Sequence, residues 1–167
     1  MAYTGTFDAT KDQLVRVNSF TTGAVTTVTD STVTLTQASH AGGVVVLARA
    51  AGVTVTLPAA TGTGDIYRII IGTTATSNAN IVKVANATDV MNGSLALQQD
   101  TDSAGTLKLW AAADSDDTMT FAGAATTGGT VGAFIQCVDY KAGFWSCQAW
   151  TKSSGGAEAT PFSATVS

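Results

Sequence analysis

The stretch Thr54–Thr74, TVTLPAATGTGDIYRIIIGTT, decides how the rest of the chain is read. Its centre, Thr61-Gly62-Thr63-Gly64-Asp65, sets two glycines directly after an apolar run, where a phosphate-binding loop would also set them. Such a loop needs a helix behind it, because free N–H groups and the dipole at a helix N-terminus hold the anion. Here the glycines lead into Ile66, Ile69, Ile70 and Ile71, β-branched residues that pack well on a pleated strand. Neither a Lys-Ser/Thr pair nor a third glycine at the dinucleotide spacing follows. Pro58 ends the first strand by removing a ladder donor. The loop turns one strand into the next, and its role is structural.

Outward from this stretch the same alternation recurs, at the period of two that marks strands. STVTLTQ alternates at Val33 and Leu35, and VTVTLP sets Val53, Val55 and Leu57 on one side. GGVVVLA, IYRIIIG, NIVKVAN, GSLALQQ, TLKLWAA, DTMTFAG, GAFIQCVDY and GFWSCQAW complete the series. Turn formers such as Gly42-Gly43, TSNAN, DTDSAG, DSDD and TTGG separate these runs. The spacing predicts an all-β fold, a jelly-roll-like β-sandwich or small barrel of about nine or ten short strands. No exact internal repeat is evident. The expected organisation is an N-terminal arm over 1–22, a β domain over 23–151 and a C-terminal tail over 152–167 without strand pattern.

The 167 residues suffice for one domain with a substantial core. Charged residues make up only 12% against 45% hydrophobic, and mean hydropathy is +0.24. A free monomer normally keeps a charged surface, so this composition implies a surface covered by other subunits. A net charge of -4 disfavours nucleic acid as a partner, since such binding needs clustered Lys and Arg. No apolar run is long enough to span a bilayer, so no membrane partner is expected. The start MAYTGTFDATKDQLVRV lacks the basic segment and apolar block of a secretory signal. Asn86 and Asn92 match the glycosylation pattern but read as turn residues.

Catalytic patterns are sparse. His40 is the single histidine, beside a turn, and nothing in the sequence places a nucleophile and an orienting acid with it. Two cysteines and one histidine do not make a zinc pattern. Asp114, Asp116 and Asp117 lack the glycine and distal glutamate of a calcium loop and read as a solvated turn, like Asp100 and Asp102. Trp110, Trp145 and Trp150 read as core or interface filling, with Trp145 and Trp150 on opposite sides of one strand. The expectation is a non-enzyme with no cofactor and no metal.

The cysteines allow a sharper inference. Tyr140–Phe144, YKAGF, reads as a three-residue hairpin loop with Gly143 in the left-handed position. Counting outward from Tyr140 facing Phe144 sets Cys137 opposite Cys147, in a non-hydrogen-bonded pair where side chains lie closest. The two thiols are thus expected to touch, and to be able to form a bridge.

Thr54–Ser94, with the later Asp116–Cys147 (DDTMTFAGAATTGGTVGAFIQCVDYKAGFWSC), resembles the head decoration (cement) proteins of tailed bacteriophages. The resemblance covers about residues 30–150. It implies a jelly-roll-like β domain on the outer face of a capsid, made in the host cytoplasm and carried in the virion. Its partners would be the major capsid protein and further copies of itself, as a dimer or trimer. The alternative is a tail-fibre or receptor-binding β module. Tyr3, Phe7, Leu14 and Phe162 stand as isolated apolar residues in otherwise polar ends, and are expected to anchor the arms on a neighbour.

Overall fold

The computed structural model describes residues 24–101, 106–123, 126–153 and 158–166. Six short strands come first: β1 (Val25–Val28), β2 (Thr32–Thr34), β3 (Val44–Leu47), β4 (Thr54–Thr56), β5 (Ile66–Ile71) and β6 (Asn80–Lys83). A single helical turn, α1 (Gln37–His40), lies between β2 and β3. Six more strands follow: β7 (Leu95–Asp100), β8 (Leu107–Ala111), β9 (Thr118–Phe121), β10 (Phe134–Lys141), β11 (Phe144–Ser153) and β12 (Phe162–Ser163). All ten runs read from the sequence are strands; β1 and β12 are additional. Among the described residues, no helix is long and apolar enough to cross a membrane.

Two sheets result, ordered β1-β3-β5-β10-β11-β7-β8 and β12-β9-β6-β4-β2. The all-β architecture is the one the sequence implies. Its winding is finer than that reading resolved. A jelly roll pairs its strands antiparallel, whereas β1 through β6 alternate between the sheets at every step. Consequently β1, β3 and β5 pair in parallel in one sheet, and β2, β4 and β6 in the other. Hairpins β7-β8 and β10-β11 supply antiparallel pairs, and β10 and β9 close antiparallel on β5 and β6.

A short repeat does underlie this coil. Thr32–Leu35 and Thr54–Leu57 both read Thr-Val-Thr-Leu, and β2 and β4 stack with Val33 opposite Val55. The spacing is uneven: Val25 to Val44 is a step of 19 residues, and Val44 to Arg68 a step of 24. Loops of different length between short strands hide such a pattern from any fixed period.

The core lies between the sheets, filled by alternate residues of the central strands. Val45, Ile69, Ile135, Ala149 and Ala96 form one transverse row in the larger sheet, each opposite the next and none more than 2% exposed. Val55, Val82, Met119 and Phe162 form the facing row in the smaller sheet. Trp145 is fully buried and meets Tyr67 edge to face, with ring centroids 5.7 Å apart.

The Cys137–Cys147 pair is opposite in register, as expected, with Cα atoms 4.1 Å apart and the sulfurs bonded. The Cys147 N–H turns away from β10 to donate to Ser94 Oγ at 2.7 Å, as a non-hydrogen-bonded pair requires. The hairpin end differs slightly from expectation. Lys141, not Tyr140, pairs with Phe144, and the register shifts between Asp139 and Lys141. Gly143, at φ 80°, still takes the left-handed position.

The C-terminal segment differs more. Phe162 is 5% exposed, pairs with Met119 and belongs to the core. Thr165 and Val166 N–H groups donate to the carboxylate of Asp117, at 2.8 and 3.0 Å. Phe162 is therefore taken up by its own chain and is not presented to a neighbour. The polar sequence around it hid a two-residue strand, too short to show alternation. Tyr3, Phe7 and Leu14 lie outside the described residues.

Phe162→Ala should lower unfolding stability by about 3 kcal/mol, the usual cost of emptying a buried aromatic site. Urea denaturation checks this; an unchanged midpoint would show that the segment docks without stabilising.

Candidate functional site

The glycine loop does hold an anion, but the anion is the protein's own. Asp139 on β10 is 3% exposed, and its carboxylate sits inside the turn Thr61–Thr63. The N–H groups of Thr61 and Thr63 donate to Oδ2, each at 3.1 Å, and that of Gly62 donates to Oδ1 at 2.7 Å. The Thr63 hydroxyl adds a bond to Oδ2 at 2.9 Å. Gly62 takes φ 78°, and a Cβ there would lie 3.3 Å from Lys141 Cα, so a side chain would be both strained and crowded. Burial pushes the Asp139 carboxyl up, but the N–H groups of Gly62, Thr63 and Thr61 and the Thr63 hydroxyl outweigh it. The net effect holds the group below the ordinary carboxylate value. Burial, followed by the negative charges of Asp65 and Asp139, pushes the neighbouring Tyr67 phenol up to about 12.

Other polar residues are used the same way. Asp89 is buried and accepts from the Ala60 N–H at 2.9 Å and from Asn86 Nδ2 at 3.0 Å. Asp117 is 1% exposed, so the DSDD segment is not wholly a solvated turn: its last residue fastens the C-terminal segment. Asp114 accepts from Asn92 Nδ2, and Asp116 from the Ala113 N–H. His40 bonds locally, its Nδ1 accepting from the Thr36 N–H at 3.0 Å. Among the described residues, no group of three or more His, Cys, Asp or Glu could hold a metal ion.

The outer face of the larger sheet is different. Val46, Ile70, Phe134, Trp150, Leu97 and Leu109 stand opposite one another in turn, a continuous apolar row over six adjacent strands. Their sequence neighbours Val45, Ile69, Ile135, Ala149 and Ala96 point into the core, so this row points out. Trp150 is 60% and Leu109 62% exposed. Leu107, Leu95 and Val25 are also exposed apolar residues on this side. Arg68, Lys141 and Lys152 are the charged residues in the rows the register defines here among the described residues.

A groove of about 350 Å³ interrupts this face, walled by Leu97, Leu107, Trp150 and Lys152 on one side and Thr130 and Val131 on the other. The second wall is braced. The Val131 N–H donates to Thr74 Oγ1 at 3.0 Å, Gly129 N–H to Thr151 Oγ1 at 2.6 Å, and Gly132 N–H to the Ile71 carbonyl at 2.9 Å.

Of the residues singled out from sequence, the structure brings Cys137 and Cys147 together and turns Phe162 inward. The outer row was not anticipated. Its signal was present in VVVL, where both alternating sets are apolar, and in IYRIII, where Arg68 alone interrupts the outer set, a pattern of strands covered on two faces. No family model, curated protein or solved structure matches the chain.

Asp139→Asn should cost on the order of 2 kcal/mol at neutral pH, because it replaces a charged acceptor of several N–H groups. The folded-state pKa of Asp139 is depressed, so its stabilisation is complete above about pH 4 and lost as pH falls through the folded value. Urea midpoints of wild type and variant should therefore converge in acid. A constant gap from pH 7 down to pH 2 would refute the role given to the charge.

Proposed function

We propose that this protein is a non-enzymatic structural component of a tailed-phage virion that decorates and cements the capsid surface. The reading rests above all on the apolar row Val46–Ile70–Phe134–Trp150–Leu97–Leu109. Six outward apolar residues in register contribute nothing to the sandwich core, and contiguous apolar surface of this kind marks a binding face. The sequence resemblance to head decoration proteins and the low charge point the same way.

In this reading the outer face lies on the major capsid protein. The chain as a whole carries -4, while the charged residues of its outer rows are the cations Arg68, Lys141 and Lys152. The matching surface is thus apolar with a few carboxylates, and little charge has to be desolvated on contact. Trp150 beside the braced groove is the expected centre of the binding energy, since exposed tryptophans in pockets dominate interfaces. The N-terminal segment, with Tyr3, Phe7 and Leu14, is proposed as a second contact. Many copies bound only to the assembled lattice would stabilise it by linkage. The alternative of a receptor-binding module calls for exposed aromatics in loops, and Trp150 stands on a strand.

Trp150→Glu should weaken binding to undecorated particles at least about 30-fold, the effect of losing a hot spot worth about 2 kcal/mol. Its circular dichroism spectrum should be unchanged. Deletion of residues 1–20 is the companion variant. Full occupancy by Trp150→Glu would remove the sheet face from the interface, and failure of the wild type to bind any capsid would overturn the proposal.

A further inference from the structure

We infer that β8 is a dimerisation edge, joining two copies of this chain across a two-fold axis into one continuous sheet. The inference goes beyond the capsid reading and does not depend on it.

The first observation is that β8 ends the larger sheet: no other described strand pairs on its far side. Both ends of its pairing with β7 are defined, with the Asp100 N–H donating to the Thr106 carbonyl and the Ala112 N–H to that of Ser94. Antiparallel hydrogen bonding alternates, so Lys108 and Trp110 also turn their backbone groups towards β7. Leu107, Leu109 and Ala111 therefore present their N–H and C=O groups at the open edge. An exposed edge of this kind is a template for another strand.

β8 is the longest of the four described edge strands, and β1, at the opposite end of the same sheet, has four residues. β12 has two residues and follows Pro161, and β2 has three residues. β8 has five residues, without proline or register shift, and Leu107 and Leu109 are 64% and 62% exposed.

The second observation is that Leu107-Lys108-Leu109-Trp110-Ala111 is complementary to itself in one register. Centred on Leu109, an antiparallel copy sets Leu109 against Leu109 and Leu107 against Ala111. These are the residues whose backbone groups face outward, so they form the hydrogen-bonded pairs, with about six ladder bonds in all. Lys108 then falls opposite Trp110 in the close, non-hydrogen-bonded positions, where an ammonium over an indole is attractive. Shifting the centre to Lys108 would set two lysines face to face, which like-charge repulsion disfavours. The charge pattern selects the occupant, a second copy of this chain, and also its register.

The two-fold axis of such a pairing runs perpendicular to the sheet. Both outer faces then point the same way, and the apolar row of one copy meets that of the next at Leu109. The dimer carries two grooves on one platform.

The full chain should sediment with about twice its 16.8 kDa mass, with a monomer appearing on dilution. Leu109→Pro removes an edge donor that no intrachain strand uses, and should abolish the dimer with an unchanged circular dichroism spectrum. If that variant misfolds, single-cysteine substitutions decide the matter in the oxidised full chain. Leu109→Cys should yield a covalent dimer, and Lys108→Cys should not. A wild type that stays monomeric at every concentration overturns the inference. So does a trimer, a folded Leu109→Pro variant that still dimerises, or cross-linking through Lys108→Cys in preference to Leu109→Cys.

Discussion

The central strands of both sheets obey one constraint: alternate residues must fill the space between the sheets. Val45, Ile69, Ile135, Ala149 and Ala96 meet that demand from one side, and Val55, Val82, Met119 and Phe162 from the other. Because the side-chain period is two, a slip of one residue would send either row to solvent, so the register is strongly specified. The same parity fixes which residues point away from the core. The outer row is thus a direct consequence of the inner one.

Crossing between sheets at each step creates many short loops, whose backbone groups cannot all bond within strands. The chain answers with side chains. Asp139 gathers the N–H groups of Thr61–Thr63, Asp89 takes that of Ala60, and Asp117 fastens Thr165 and Val166. Arg49 closes the corner after β3 by donating to the carbonyls of Ala51 and Gly52. Buried backbone donors need acceptors, and a carboxylate supplies several lone pairs at one point. These charged residues are employed in holding loops, which leaves the outer sheet face with few charges and much apolar area.

The proposed role and the proposed dimer draw on different parts of that face. Attachment uses its broad centre around Trp150, where the braced loop at Val131 makes a preformed wall. Pairing uses its margin, where the backbone of β8 is open. A two-fold pair would present two attachment centres held rigidly by one sheet, so that engagement of one favours engagement of the other.

Much of the fold could be read from residues alone. The β-branched run after Gly64 excluded a nucleotide loop, the alternation located ten strands, and the hairpin count set Cys137 against Cys147. Each of these rests on local geometry, in which a few neighbouring residues settle the outcome. Three features were decided only by tertiary structure. Parallel pairing of β1 to β6 joins segments about 20 residues apart through loops of unequal length, and no local pattern records which strands become neighbours. Phe162 docks because Met119 on β9 pairs with it and Asp117, just before that strand, holds the residues after it, although its own surroundings read as a polar tail. The apolar row over six strands exists only once the register aligns residues from Val46 to Trp150. The sequence determined which side of each strand is apolar; only the pairing of strands decided that those sides form one surface.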